Sequence, residues 1–129
     1  MPLYTPKFSK EGFKGGKNIL ASEHTQFIEA GATLDGDAFT DDFYDVGTVI
    51  ARNTTTGKFE PLNGDEGAEE LEGFDNVGIL NVDFETSGND VIAGEVIVRG
   101  SVYEAKLPYG NISDEIKAKM PMVRFVNHI

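Results

Sequence analysis

A mainly β fold, either a small barrel or a sandwich, is predicted by three observations. Short stretches rich in Val, Ile, Thr and aromatic residues recur at even intervals between Gly-, Asn- and Asp-rich turns. A single stretch near the C-terminus carries the start and stop signals of a helix. Residues 1–17 sustain neither the period of a strand nor that of a helix, so they read as an extended N-terminal arm with little structure of its own. At 129 residues the chain is most simply one β domain, residues 18–129, preceded by that arm. A globule of this size buries roughly two-thirds of the surface its unfolded chain exposes, which suffices for one ordinary core.

The arm, MPLYTPKFSKEGFKGGK, mixes Pro2, Pro6, Gly12, Gly15 and Gly16 with isolated rings at Tyr4, Phe8 and Phe13. Its bases are Lys7, Lys10, Lys14 and Lys17. Purely solvating tails are poor in aromatics. Rings spaced along a basic segment suit one that orders on a partner, each ring filling a pocket while the backbone adds to a sheet edge.

From Asn18 onward the expected strands are short: Ile19–Ala21, Thr25–Ile28 and Gly31–Leu34, then an acidic stretch from Asp35 to Asp45. GTVIARNTTTGKFEPL, residues 47–62, ends its turn on Gly57-Lys58, the last glycine-lysine pair of a phosphate-binding loop. That pattern needs a glycine where Arg52 stands and a Ser or Thr where Phe59 stands, so the chemistry fails. A hairpin explains the same letters, with β-branched Thr48–Ala51, a Thr-rich turn, and Gly57 supplying the positive φ the turn needs. Asn63–Gly73 reads as a solvated acidic loop, Asn76–Phe84 as a buried strand, and Thr86–Asp90 as a turn back into Val91–Val98. Arg99-Gly100 breaks that run, and Ser101–Leu107 alternates after it. Ser113 caps the expected helix, Asp114 and Glu115 suit its positive end, Lys117 and Lys119 its last turn, and Pro121 stops it. Ile112, Ile116 and Met120 give it a narrow apolar stripe, and Met122–Val126 reads as a last strand.

The formal charge is −11, and it is unevenly spread. Residues 1–22 carry a net of +3, residues 23–95 a net of −16 with Arg52 and Lys58 as their only Lys or Arg, and residues 96–129 a net of +2. A body this acidic repels nucleic acid and anionic membrane over most of its surface, while the arm can seek an acidic partner. The absence of cysteine excludes disulfides, thiolate metal sites and cysteine nucleophiles. No apolar run approaches a membrane span, and MPLYTPKFSK lacks the apolar centre of a signal peptide, which predicts a soluble, unprocessed chain.

Catalytic signals are missing. His24 and His128 stand far apart, no Gly-x-Ser-x-Gly elbow is present, and Glu23-His24 has no second histidine at helical spacing for zinc. The acids Asp35, Asp37, Asp41, Asp42 and Asp45 invite a calcium reading, but the central glycine and closing glutamate of an EF-hand are not in place. A solvated acidic face is the simpler account, and no metal or cofactor is expected. Asn53-Thr54-Thr55 and Asn111-Ile112-Ser113 match the glycosylation pattern by chance in a chain without a secretion signal.

The order of elements from Gly47 carries a resemblance. Gly-Thr-Val-Ile-Ala at 47–51, Thr-Thr-Gly-Lys-Phe at 55–59 and Pro61-Leu62 precede an acidic loop; Val-Gly-Ile-Leu at 77–80 and Val-Ile-Val-Arg-Gly-Ser-Val at 96–102 follow it. Together with the short helix and last strand, these residues resemble the head decoration proteins of tailed bacteriophages, of the lambda head decoration protein type, over roughly residues 18–129. The resemblance implies a β-clip or β-tulip domain with no enzymatic activity. It also implies a homotrimer on the outer surface of the expanded capsid, at three-fold and quasi-three-fold positions, cementing the major capsid protein against DNA pressure. The chain would be made in the host cytoplasm and reside in the virion. Under it, Tyr4, Phe8 and Phe13 become anchors on the capsid, and Lys7, Lys10, Lys14 and Lys17 electrostatic guides. The acidic charge and the Asp35–Asp45 segment depart from the lambda type. Arg99, ending an apolar strand in a protein short of bases, is a candidate to pair with an acid across the trimer interface. A rival expectation is a head-fibre or tail-associated β domain that binds host-surface glycan through an aromatic-lined groove.

Overall fold

The structure, a computed structural model, describes residues 18–109 and 112–127. Its organising unit is the hairpin of β4 (Val49–Asn53) and β5 (Phe59–Pro61), in which Arg52 faces Phe59 and Ile50 faces Pro61. The turn closes as the sequence requires. The Asn53 side chain accepts the Thr55 and Thr56 amides, and Gly57, at φ 77°, returns its own amide to the Asn53 carbonyl.

Around this hairpin lie β1 (Gln26–Phe27), β2 (Ala32–Leu34), β6 (Phe74–Leu80), β8 (Val91–Ala93) and β9 (Val96–Tyr103), in the sheet order β1-β9-β6-β4-β5-β2-β8. A further strand, β10 (Val123–Val126), runs parallel to the second half of β9. The sheet curls into a half-barrel, so the mainly β, barrel-like expectation holds. Apart from it, β3 (Phe43–Tyr44) and β7 (Phe84–Glu85) form a two-stranded ribbon. A 3₁₀ turn, Glu104–Lys106, and one short helix, α1 (Asp114–Ala118), complete the described elements.

The central strands are apolar at successive positions because both of their faces are covered. Val49 and Ala51 enter one cluster of buried residues while Ile50, between them, enters another; Ile79 and Leu80 divide in the same way, as do Ile97 and Val96. Side chains alternate across a strand, so each such pair reports the two faces of the sheet. The first face is covered by Ile19, Leu62, Leu71 and the C-terminal run Leu107, Ile112, Ile116 and Met120, the expected stripe of α1 included. Phe39 and Phe59, with the partly buried Tyr44 and Phe84, cover the second.

Three sequence expectations are corrected. The break expected at Arg99-Gly100 falls instead at Gly94-Glu95, because β8 pairs with β2 whereas β9 pairs with β6, and the chain has to turn between them. Strand β9 runs through Gly100, whose φ of 151° few other residues adopt, as its neighbour changes from β6 to β10. Ile97 and Val102 both enter the first cluster although an odd number of positions separates them, so the kink resets which face the strand presents. Second, the alternating run expected to reach Leu107 ends at Tyr103 and becomes the 3₁₀ turn. Third, the acidic loop 63–73 is not solvated throughout. Leu71 is fully buried, and the Glu66 carboxylate turns back onto the Asn63 and Gly64 amides at 2.5 and 2.9 Å.

Candidate functional site

The arm residues Tyr4, Lys7, Phe8, Lys10, Phe13, Lys14 and Lys17 lie outside the described residues. Their point of attachment does not. Ile19 is fully buried, its carbonyl accepts the Tyr103 amide at 2.9 Å, and the Ala21 amide reaches the Ser101 carbonyl at 2.9 Å. The chain therefore enters the sheet along the outer side of β9 before it reaches β1.

Arg99 stands on β9 opposite Gln26, exposed, and makes no ion pair with any described residue. Beside it the carbonyl of Met122, a residue 61% exposed, accepts the Gly100 amide. The two bases of the acidic middle are used differently. Arg52 grips Asp75 through two 2.8 Å bonds across β4 and β6, holding the Asp75 carboxyl below its usual range. Lys58 meets Asp90 at 2.7 Å, and its pair lowers Asp90 while the Gly36 amide adds to the effect. Arg52, the residue in the place of a phosphate-loop glycine, is thus a cross-strand tie. Among the described residues no three of His, Asp and Glu converge so as to hold a metal ion.

A cleft of about 630 Å³ lies between the β3–β7 ribbon and the segment that follows the 3₁₀ turn. Tyr44, Asp45 and Tyr109 are each held by neighbouring groups. Tyr44 stacks on Phe84 and meets the edge of Phe39, while its hydroxyl accepts the Asp41 amide at 3.1 Å. The Asp45 carboxylate accepts the Val46 amide at 2.7 Å. On the opposite side, the Tyr109 hydroxyl accepts the Val49 amide at 2.7 Å and donates to the Leu62 carbonyl at 3.1 Å. Burial pushes the Tyr109 phenol up to about 12, the nearby Glu66 and Tyr44 adding to the rise and the Val49 amide opposing it.

Two glycines admit this wall. A Cβ on Gly64 would stand 2.6 Å from the Tyr109 ring, and one on Gly47 would stand 2.9 Å from Leu107 and Pro108. Behind the wall, Glu104 is nearly fully buried; its carboxylate takes the Lys117 ammonium at 2.9 Å and the Ile112 amide at 3.1 Å. Burial works to raise its pKa, but Lys117, the Ile112 amide and Asn127 outweigh burial and leave it lowered.

The residues lining the cleft include the carboxylates of Asp41 and Asp45, the rings of Phe43, Tyr44 and Tyr109, and Asn63, but no lysine, arginine or histidine. Such a surface can bind a cation or the flat face of an apolar group. Sequence reading missed the cleft because Tyr44 and Tyr109 lie 65 positions apart and nothing in either neighbourhood marks them as partners. The aromatic Phe43-Tyr44 amid five aspartates was the one signal available. Compared with known protein families, with curated proteins and with solved structures, the chain finds no match.

Proposed function

We propose that this protein is a capsid-stabilising decoration protein: a non-enzymatic virion component that binds the outer surface of an expanded icosahedral shell as a homotrimer and cements the major capsid protein. One observation carries the reading. The basic, aromatic arm joins an acidic β body at the hydrogen-bonded segment Ile19–Ala21, anchored by the buried Ile19, so tension on the arm is delivered to β9, the strand that pairs with β1, β6 and β10. The mainly β architecture with a short C-terminal helix is the kind of domain the sequence resemblance implies. Cementing needs no catalytic group, only modest contacts repeated by symmetry and made strong by multivalency. The exposed Asp65, Glu69, Glu70 and Glu72 would keep crowded copies from aggregating. Arg99, exposed and without an ion pair among the described residues, is the proposed trimer contact, with Met122 beside it.

Co-sedimentation with empty, expanded heads of the cognate phage tests the proposal. The full chain should saturate shells at a fixed ratio and raise their melting temperature, and a chain lacking residues 1–17 should do neither. If neither form binds, the proposal fails. Arg99→Ala should lower the trimer mass at low concentration; an unchanged mass removes Arg99 from the interface. The rival reading, host-glycan binding, has a specific locus in the cleft with its Tyr44 and Tyr109 rings. Glycan-array binding at micromolar strength without shell binding would favour it.

A further inference from the structure

We infer that the cleft is a docking site for this chain's own arm, received in the same copy as a cationic, aromatic peptide. Three observations converge on that occupant. The first is chemical complementarity. The cleft presents the carboxylates of Asp41 and Asp45 beside the rings of Phe43, Tyr44 and Tyr109, with no base among its lining residues. The arm alternates rings and lysines, Phe8, Lys10, Phe13 and Lys14. A lysine over an aromatic face and next to a carboxylate gains from both.

The second is preorganisation. Tyr44 is held by Phe39, Phe84 and the Asp41 amide, and Tyr109 by Val49 and Leu62, so the cleft need not be ordered when a segment enters. A fixed surface avoids much of the entropic cost that weakens peptide binding.

The third is reach. Ile19 is hydrogen-bonded to Tyr103, and Pro108 on the cleft rim follows Tyr103 by five residues. At no more than about 3.6 Å per residue, the root of the arm lies within about 25 Å of the cleft. Lys10 precedes Ile19 by nine residues, a span of up to about 32 Å by the same measure, so the stretch from Phe8 to Lys14 can enter its own cleft. A tether of this length keeps the local concentration of the arm near the millimolar range, so a weak site fills without help from a second copy. Tethering and charge together favour the arm over a free glycan.

Docking stands apart from the capsid reading; its consequence rests on that reading. An arm stored in the cleft is unavailable to the shell in proportion to the docked fraction, so docking would weaken shell binding until the capsid surface outcompetes the cleft.

Zero-length carbodiimide coupling of the full chain tests the inference. An equal mixture of ¹⁴N- and ¹⁵N-labelled protein, coupled at low concentration and mapped by mass spectrometry, should give Lys7, Lys10 or Lys14 joined to Asp41 or Asp45, within one isotope. Asp41→Asn should cut the Asp41 products to background and leave the melting temperature of the chain unchanged. Lys10→Gln with Lys14→Gln, which alters no described residue, should reduce the cleft products about tenfold. Coupling spread over Glu69, Glu70 and Glu72 in proportion to their exposure would overturn the inference, as would mixed-isotope products alone, which would assign the cleft to the arm of a second copy. A chain that binds shells yet gives no Asp41 or Asp45 product would lose the docking site and keep the capsid reading.

Discussion

The two faces of the sheet are closed by different means. On the first, fifteen described residues form a buried cluster without an aromatic ring, and much of its cover comes from the distant C-terminal segment. That cover is pinned by polar groups withdrawn from water: Glu104 with Lys117, Tyr109 with Val49 and Leu62, and the Ser113 hydroxyl, which accepts the Ile116 amide and donates to the Glu66 carbonyl at 2.7 Å. On the second, eight described residues suffice because Phe39 and Phe59 are large and because Tyr44 and Phe84 lean against them. Its cover comes from nearby turns and two-residue strands, tied at the surface by Lys58 with Asp90 and by Thr86 with the Asp41 carbonyl. A buried hydrogen bond is costly to leave unmade, whereas an exposed ion pair is readily replaced by water. The first face should therefore be the harder of the two to open, and the second the one whose surface ties are more readily exchanged for water.

Neighbouring residues on β6 test this most directly. Ile79 and Leu80 are both fully buried, one on each face. Truncation of either to Ala should cost about 2–5 kcal/mol, the spread reflecting how far each site can collapse around the cavity. Ile79→Ala should fall at the upper end, since its surroundings are held by buried polar ties, and Leu80→Ala at the lower end. Urea titrations measure both; equal costs, or the reverse order, would break the comparison.

The polar ties of the first face give two smaller effects with opposite pH signatures. Tyr109→Phe leaves the Val49 amide without its partner and should cost about 1–3 kcal/mol at neutral pH. The phenol has an ordinary value of 10.0 and is raised to about 12 in the fold, so between those values the unfolded chain releases a proton that the folded chain retains. Native Tyr109 therefore loses about 2–3 kcal/mol of stability as pH climbs from about 10 to about 12. The gap to Tyr109→Phe should close over that window; a gap constant in pH would mean the hydroxyl is not buried. Glu104→Gln should cost a similar amount at neutral pH. The Glu104 carboxyl is lowered in the fold, so its contribution is present above the unfolded value of 4.5 and is lost as pH falls through the folded value. The gap between wild type and Glu104→Gln should thus narrow in acid, not in alkali.

How much of this was legible follows the same division. The β4–β5 hairpin, its Gly57 turn, the Ser113 cap and the Ile112, Ile116 and Met120 stripe are all short-range patterns, and each is found where the sequence put it. The second face was harder to see. The ribbon joins Phe43-Tyr44 to Phe84-Glu85, forty residues away, through strands of two residues, too short for alternation to declare itself. The kink at Gly100 was visible as a glycine but misread as a stop, because sequence alone does not reveal that β9 exchanges β6 for β10 there. Nothing in the sequence around Glu104 or Tyr109 marks the roles they take, since their partners come from other elements of the chain.

The smallest effect belongs to the surface tie of the second face. Lys58 and Asp90 meet at 2.7 Å, yet both side chains are 41% exposed, and each ion is solvated when the pair opens. Asp90 also accepts the Gly36 amide, and a Cβ on Gly36 would stand 2.5 Å from the Asn89 backbone, so the two turns are already locked together by fit. Lys58→Met should consequently shift the melting temperature least of the five substitutions. What shift there is should vanish in about 1 M salt, where the screening length shrinks to about 3 Å. Glu104→Gln should keep more of its effect in the same buffer, because the Glu104 side chain is only 4% exposed and is screened less than either member of the Lys58–Asp90 pair. If salt erased both effects alike, Glu104 would be as wet as Asp90, and the contrast between a face closed by buried polar groups and one closed by rings would be lost.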